Sequence, residues 1–410
     1  MSMDPITVLD LGTTKVVCLA ASRSDSGDLV VDAVSQVGCR GVKKGVVDDI
    51  EATAGAIDEA VSRVERSLGS TVEEVAITVA GAHLQSVNAQ GFVPIYPSSR
   101  QIRRDDVLAV INHSRQIVMP PDREQIMAIP REFRVDGQRG ITRPIGMSGG
   151  RLEVVTHVVT GQTTQINNVD KAVTRAGRKV LQMVAEPVAC GLGVADAESL
   201  ENGCAVVDIG GSVTNVAVFS SGAIAYSASS PIGGAHVTSD LQALLKVSPD
   251  EAERIKTQYG AALSRAALEN EVIQVRQTDQ TEDRPMQRRV LCEIIESRMR
   301  EIADLVRKHL ELSGLNGSLP SGVYLTGGGS ILPAVGTLFS EVLKTSQIQM
   351  AFPRVAGQNA RMVEVPTMST AVGLARYCLE SDEHEFAPVS GFSNWKEKIR
   401  TLRNPFVKKG

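Results

Sequence analysis

Several things are missing from this sequence. Its 410 residues contain no uninterrupted stretch of about 18 apolar residues, so no segment is predicted to span a membrane, and attachment at a membrane surface stays open. The apolar run near the start, ITVLDLGTTKVVCLAA, is broken by Asp10 and Lys15 and does not read as a secretion signal. Six cysteines stand at Cys18, Cys39, Cys190, Cys204, Cys292 and Cys378, none in a CxxC or zinc-site spacing. Most lie in apolar runs, where a thiol behaves as a small hydrophobe, so a reduced, cytoplasmic protein is expected. A charge excess is missing too. The formal net charge is −4 with 22% charged residues, which gives no whole-molecule pull toward nucleic acid. No nucleic-acid partner is expected, and any electrostatic partner must be met by a local patch. Tryptophan is reduced to one residue, Trp395.

What is present is a sizeable apolar fraction, 42%, in a chain long enough for two domains or one divided domain. Residues 5 to 20 read as strand, turn, strand. Ile50, Ala54, Ile57, Val61, Val64 and Leu68 then recur at helical spacing, and the strand EEVAITVA follows. Between about 84 and 160 the texture changes. A helix with Asp105 near its start, a short strand-like IMAIPREFRVDG, a glycine-rich IGMSGG and the strand RLEVVTHVVTG suggest a small α+β insert. The main pattern resumes with the helix TTQINNVDKAVTRAG and the strand KVLQMVAEPVA. The second half opens with VVDIGGSVTNVAVFS, which aligns with VLDLGTTKVVCLA at the start and marks an internal duplication of long period. A helical region from about 236 to 312 ends in an amphipathic helix with Leu291, Ile294, Ile295, Ile302, Leu305, Val306 and Leu310 on one face.

Three motifs carry chemistry. In Asp10-Leu11-Gly12-Thr13-Thr14-Lys15 a strand delivers an acid to a tight turn. Gly12 lets a phosphate approach the backbone, the turn's N–H groups and the Thr13 and Thr14 hydroxyls can bind its oxygens, and Lys15 adds a point charge. Asp10 suits Mg²⁺ held through water, since that ion keeps several of its own waters. One such turn is equally a plain hairpin. The second motif repeats it: Asp208-Ile209-Gly210-Gly211-Ser212-Val213-Thr214-Asn215, with Asp208 as the matching Mg²⁺ residue. Two such turns, each heading half of the chain, can clamp one polyphosphate. The third, Thr326-Gly327-Gly328-Gly329-Ser330, follows the strand GVYL and offers a flat backbone face to an adenine or ribose.

The C-terminal region changes character again. The acidic, proline-containing ESDEHEFAPVS reads as a linker over 381–390. Beyond it Phe392, Trp395, Ile399, Leu402 and Phe406 recur at steps of three and four, one face of a helix over 391–407. Lys396, Lys398, Arg400, Arg403, Lys408 and Lys409 surround that face against a single acid, Glu397. Such a helix suits the headgroup region of an anionic membrane, with Phe392, Trp395, Lys396, Ile399, Arg400, Leu402, Arg403 and Phe406 as the contacting residues. Docking on the chain's own body or in a partner's groove are the other readings of the stripe.

DLGTTK, DIGGSVTN and TGGGS, in that order, resemble the actin, sugar-kinase and heat-shock-chaperone ATPase superfamily. Glu186-Pro187-Val188-Ala189-Cys190-Gly191 and Pro366-Thr367-Met368-Ser369-Thr370-Ala371-Val372-Gly373 resemble its two connecting helices. Ala252-Glu253-Arg254-Ile255-Lys256 resembles its nucleoside-contacting helix, which implies Glu253 and Lys256 at ribose and adenine. The insert and the basic tail narrow the resemblance to the FtsA family of actin-like cell division proteins, with pilus-assembly relatives or another ATPase of the same fold as the alternative.

The resemblance implies an α/β fold of duplicated RNase H-type, actin-like lobes around a nucleotide cleft, with an SHS2-like 1C insert in the first lobe. The corresponding subdomains are 1A (1–83 and 161–198), 1C (84–160), 2A (199–235 and 313–380) and 2B (236–312). It implies ATP and Mg²⁺ as cofactors. Gly12, Thr13, Thr14, Lys15, Gly210, Gly211, Ser212, Thr214, Asn215, Glu253, Lys256, Gly327, Gly328, Gly329 and Ser330 are the expected nucleotide residues. Glu186 is the expected water-orienting residue, with His157 and Gln162 as weaker candidates, and a buried structural role is at least as well expected for His157. No strong general base declares itself, so at most slow ATP turnover is expected, in a structural and recruitment role. The implied partners are the FtsZ C-terminal tail through 2B, further copies of the chain in a filament, the anionic cytoplasmic face of the cell membrane at the division site, and downstream divisome membrane proteins.

Overall fold

Each half of the chain starts with an apolar hairpin. A computed structural model describes residues 5–98, 100–278 and 283–380. In it β1 (Ile6–Leu11) turns into β2 (Lys15–Arg23), and β3 (Leu29–Gly38) adds a second antiparallel hairpin. A two-residue ladder, β4 (Val42–Lys43) with β5 (Val46–Val47), leads to helix α1 (Ile50–Leu68). Asp49 caps α1 by accepting from the Ala52 N–H, and Gly69 ends it in the left-handed region at φ 70°. Strand β6 (Glu74–Val79) then pairs parallel with β1.

The chain next departs into a separate sheet made of β7 (Gln85–Pro94), β8 (Arg123–Val135), β9 (Gln138–Ile141) and β10 (Arg151–Gln162), in the order β7–β10–β8–β9. Helix α2 (Arg104–Ser114) covers one face, and Ile102, Val107, Val110, Phe133 and Leu152 form a core of its own there. β8 runs longer than the IMAIPREFRVDG segment expected from sequence. Its Pro130 sits where the β8–β10 register shifts, a position at which a missing N–H is tolerated. Helix α3 (Thr163–Arg175) and strand β11 (Lys179–Ala185) return to the first sheet, completing the order β11–β6–β1–β2–β3. The apolar run does not stay extended through EPVA. Pro187 suits a first helical turn, and helix α4 (Glu186–Val194) starts there.

The second half repeats the plan. After α5 (Ala197–Asn202) come β12 (Cys204–Ile209), β13 (Thr214–Ser220) and β14 (Ala223–Ser230). Then α6 (Gly234–Leu245), α7 (Pro249–Tyr259), the hairpin β15 (Val272–Val275) and β16 (Arg284–Gln287), and the 25-residue α8 (Arg288–Leu312) form a helical block. Of the α8 stripe, Leu291, Ile295, Ile302, Val306 and Leu310 are buried, joined by Cys292, Met299 and Ala303, while Ile294 and Leu305 are only partly covered. β17 (Val323–Thr326), α9 (Val335–Leu343), β18 (Ile348–Met350), α10 (Ala360–Val363) and α11 (Ser369–Glu380) finish the described chain.

The second sheet, β18–β17–β12–β13–β14, matches the first strand for strand. Three strands are mutually parallel, and a hairpin pair extends each sheet antiparallel on one side. Helices α4 and α11 cross between the lobes so closely that a Cβ on Gly373 would lie 1.8 Å from the Ala189 carbonyl oxygen. All six cysteines are buried thiols. Among the described residues no helix is long and apolar enough to cross a membrane. The linker over 381–390 and the amphipathic helix over 391–407 lie outside the described residues.

Candidate functional site

The two hairpin turns that follow Asp10 and Asp208 have the same local shape. A Cβ built on Gly12 meets the Lys15 carbonyl oxygen at 3.0 Å, and one on Gly210 meets the Val213 carbonyl oxygen at 2.9 Å. Glycine is therefore the residue that leaves each turn undistorted. The turns also touch: the Thr13 and Ser212 hydroxyls are 2.6 Å apart, and a Cβ on Gly211 would sit 3.3 Å from Thr14 Cγ2. Around them opens a cleft of about 370 Å³. Lys15, Gly211, Gly328, Glu253, Lys256 and Glu186 lie on its wall, and Ile331, Leu332 and Pro333 add an apolar surface.

Each carboxylate is held by a different neighbour. On the first side the Thr78 hydroxyl of β6 donates to Asp10 at 2.9 Å. On the second, the corresponding strand β17 brings Thr326 beside Asp208, but the Thr326 hydroxyl is 2.7 Å from Ser369 Oγ instead. Asp208 is approached by Asn215 Nδ2 and by the Thr370 hydroxyl, each at 3.4 Å. Thr370 stands in the first turn of α11 and Glu186 in the first turn of α4, so each connecting helix sends one polar side chain to the cleft floor.

Burial dominates the electrostatics. It raises the pKa of Asp10, against the lowering effects of Thr78 and Lys15. Asp208 is pushed up to about 6 by burial and by Asp10. Glu186 is raised well above the carboxylate range by burial, with Asp10 and Asp208 adding to it. Lys15 is lowered by burial, although Asp10 and Asp208 pull the other way. Asp10 and Asp208 beside Lys15, with Glu186 next to both acids, make a site that a divalent cation would relieve. Among the described residues no group of three His, Cys, Asp or Glu converges on one point. Asp10 and Asp208 are the residues that could hold a hydrated divalent cation.

Of the expected nucleotide residues, Gly12, Thr13, Thr14, Lys15, Gly210, Gly211, Glu253, Lys256, Gly327, Gly328 and Gly329 line this cleft, as do Asp10, Asp208 and Glu186. Four expected residues turn away from it. Ser212 spends its hydroxyl on Thr13, Thr214 donates to the Ile232 carbonyl at 2.8 Å, and Ser330 donates to the Gly327 carbonyl at 2.7 Å. Asn215 is buried behind Asp208. The glycine run is not a flat face. Gly327 is left-handed at φ 81°, where a Cβ would lie 2.1 Å from Asp208 Oδ1, and Gly328–Ile331 form a 3₁₀ turn. Glu253 and Lys256 pair with each other at 2.7 Å, and Lys256 also donates to the Thr238 hydroxyl at 2.9 Å.

His157 and Gln162 are away from the cleft. The His157 ring lies between Asn88 and Ser227, and the Gln162 backbone N–H donates to His83 Nδ1. Sequence reasoning missed Thr78, Thr370, Gly234, Ala235 and Thr257. The Gly233-Gly234 pair was the available signal. The Gly234 and Ala235 N–H groups donate to the Gly210 and Gly211 carbonyls at 2.9 and 2.6 Å, which fixes the start of α6 against the second turn.

Comparison with known proteins agrees with this architecture. Residues 205–373 match the family described as cell division protein FtsA, and residues 81–160 match the SHS2 domain inserted in FTSA. The cell division protein FtsA of Pseudomonas aeruginosa is 33% identical over 95% of this chain and 93% of its own length. That of Neisseria meningitidis is 34% identical over 90% and 89%, respectively. Among solved structures, a PilM–PilN type IV pilus biogenesis complex superposes with a TM-score of 0.65 at 18% identity, covering 92% of this chain and 98% of that one. MreB5 of Spiroplasma citri bound to ADP superposes with a TM-score of 0.54 at 14% identity, covering 98% and 99%. At these identities the two structures establish an actin-like fold.

Proposed function

This chain belongs to the FtsA family of cell division proteins, and from that premise we propose that it is an ATP-dependent assembly subunit that tethers the FtsZ ring to the membrane. The observation that carries the nucleotide part is the pair of matching turns at Gly12 and Gly210, which touch through Thr13 and Ser212. In this reading the backbone N–H groups of both turns, together with Lys15, would hold the nucleotide's phosphates. Asp10 and Asp208 would hold Mg²⁺ through its waters, and the ion would supply neutralisation of phosphate charge. Glu253 and Lys256 face the ribose side, and Ile331, Leu332 and Pro333 give the base an apolar wall.

Glu186 is placed to orient a water at the cleft floor. Burial beside two other acids favours its protonated form, so it is a weak base until cationic charge enters the cleft. At most slow hydrolysis is expected, and nucleotide acts mainly as a latch for assembly. The segment around Trp395 anchors the polymer to anionic lipid. Each basic side chain near such a surface contributes about 1 kcal/mol, and several copies in one filament add avidity. The FtsZ C-terminal tail docks on the helical block between 236 and 312, and downstream divisome membrane proteins join the assembled filament.

Electron microscopy of the full chain on an anionic lipid monolayer tests this reading. Filaments with Mg-ATP and none without it are expected, and Trp395→Glu should leave the monolayer bare. Equal binding of both proteins to anionic lipid would sink the anchor. The pilus-assembly alternative predicts that deleting residues 391–410 leaves membrane attachment unaltered, since a peptide partner would supply it. Family membership, at one-third identity over nearly the whole chain, favours the division reading.

A further inference from the structure

The insert is joined to the second lobe as well as to the first. Its strands β7 and β10 reach β14, the edge strand of the second sheet, through three hydrogen bonds, and a fourth joins the two strands beside them. The Ser86 hydroxyl donates to the Ser227 carbonyl at 2.8 Å, and Asn88 Nδ2 donates to the Ala225 carbonyl at 2.9 Å. His157 Nδ1 lies 2.9 Å from Asn88 Oδ1, and His157 Nε2 lies 2.9 Å from Ser227 Oγ.

The proton positions follow from the acceptors. The Ala225 carbonyl only accepts, so it fixes which end of the Asn88 amide carries the nitrogen. Asn88 Oδ1 therefore accepts from His157 Nδ1–H, and Nε2 is left to accept from the Ser227 hydroxyl. Burial holds the ring neutral by lowering its pKa to about 3, with Arg131 adding to the effect.

This junction continues to the cleft. Asp208, Asn215 and Ser229 stand directly opposite one another on β12, β13 and β14, and so share one face of the second sheet. The Ser229 hydroxyl donates to Asn215 Oδ1 at 2.7 Å, and Asn215 Nδ2 points to Asp208 Oδ2. Ser227 is two residues from Ser229 on the same strand and therefore on the same face. On most of this face the neighbours are apolar, including Cys204, Val206, Ala217 and Phe219. A polar row crosses an otherwise apolar face and runs from the cleft acid to the insert.

We propose that the row Asp208–Asn215–Ser229, continued through Ser227 to His157 and Asn88, couples occupancy of the cleft to the seating of the insert on the second lobe. Positive charge brought to Asp208 fixes the acceptor to which Asn215 donates. That orients the Asn215 oxygen for Ser229, steadies β14, and tightens the Ser227–His157 contact. His157 and Ser227 are positioning residues in this scheme, and neither touches the nucleotide. The proposal rests on the nucleotide reading above.

Two measurements on the full chain test it together: Mg-ATP binding by calorimetry, and amide hydrogen exchange in residues 85–94 and 151–160 with and without Mg-ATP. In the native chain Mg-ATP should slow exchange there by about fivefold or more, the lower range of ordinary coupling between sites. Ser227→Ala and His157→Phe should still bind Mg-ATP but lose the slowing, and Ser227→Thr, which keeps the hydroxyl, should restore it. Linkage makes Mg-ATP bind less tightly when the insert is unseated, so Ser227→Ala should weaken Mg-ATP binding by up to the same factor. Equal slowing in Ser227→Ala and the native chain overturns the coupling, as does bound Mg-ATP with no change in the insert. Absence of any binding to the native chain overturns the nucleotide reading and the coupling with it.

Discussion

The two lobes share one scaffold and use it differently. After the shared acid and glycine, the first turn continues Thr13-Thr14-Lys15 and the second Gly211-Ser212-Val213. The first lobe thus places a cation beside the cleft, and the second a second glycine against its neighbour. Opposite Asp10 stands Val17, and opposite Asp208 stands Asn215. Asp10 is held from β6 by Thr78, whereas Asp208 is held from β13 and α11 by Asn215 and Thr370. Duplication fixed the backbone, and substitution at matching positions divided the work. The first lobe supplies charge, and the second supplies a polar connection that leads away from the cleft.

The sharpest way to break this division is at the residue after the cleft-side threonine of β6 and of β17, the matching fourth strands of the two sheets. Val79 follows Thr78 in the first lobe, whereas Gly327 follows Thr326 in the second. Gly327→Ala puts a Cβ 2.1 Å from Asp208 Oδ1 at a left-handed backbone position. It should destabilise the chain by about 3 kcal/mol in thermal denaturation and remove measurable ATP binding. Gly328→Ala, whose Cβ would meet only Thr367 Cγ2 at 3.7 Å, should leave stability unchanged.

Next in size is the charge of the first turn. Lys15→Ala should weaken Mg-ATP binding about tenfold to a hundredfold, the range of a charge-assisted hydrogen bond, read by calorimetry. A loss smaller than about threefold would mean that Lys15 does not meet phosphate.

A smaller effect separates the two threonines. Thr78→Val removes the hydroxyl from buried Asp10 and should cost about 1 kcal/mol in chemical denaturation at neutral pH, together with nucleotide affinity. Thr326→Val breaks a bond to Ser369 and should leave affinity unchanged. Similar affinity losses in both variants would erase the distinction between the lobes.

The smallest expected effect is a pH dependence. Asp208 is lifted to about 6 in the folded chain, above the ordinary value of about 3.9. The folded state therefore binds more protons than the unfolded one across that interval, so nucleotide-free stability should fall as pH rises from about 4 to about 6. Asp208→Asn should flatten that fall and raise the melting temperature at pH 7 by about 2 °C.

The parts legible in the sequence were the local ones. An acid, a glycine and hydroxyls within six residues spell a turn wherever they occur, and the repeat at residue 208 announced the duplicated lobes. The insert was legible as a change of texture, and α8 as a stripe. What the sequence hid arrives from across a sheet or down a helix. Thr78 reaches Asp10 because β6 is its parallel neighbour, and Thr370 reaches Asp208 because α11 starts beneath it. Neither spacing has a local signature. The opposite error has the same origin. Thr214 and Asn215 follow the second glycine turn but already belong to β13, so their side chains are committed to the sheet rather than the cleft. His157, a weaker candidate for which a buried structural role is at least as well expected, takes that buried role, with partners from β7 and β14 that are distant in sequence.

Titration of Mg-ATP into the native chain and into Asp10→Ala and Asp208→Ala is the most direct test of the two-turn clamp. The expected result is a single nucleotide bound per native chain with micromolar affinity, and no Mg-dependent binding in either variant. Native affinity retained by either variant would contradict the clamp.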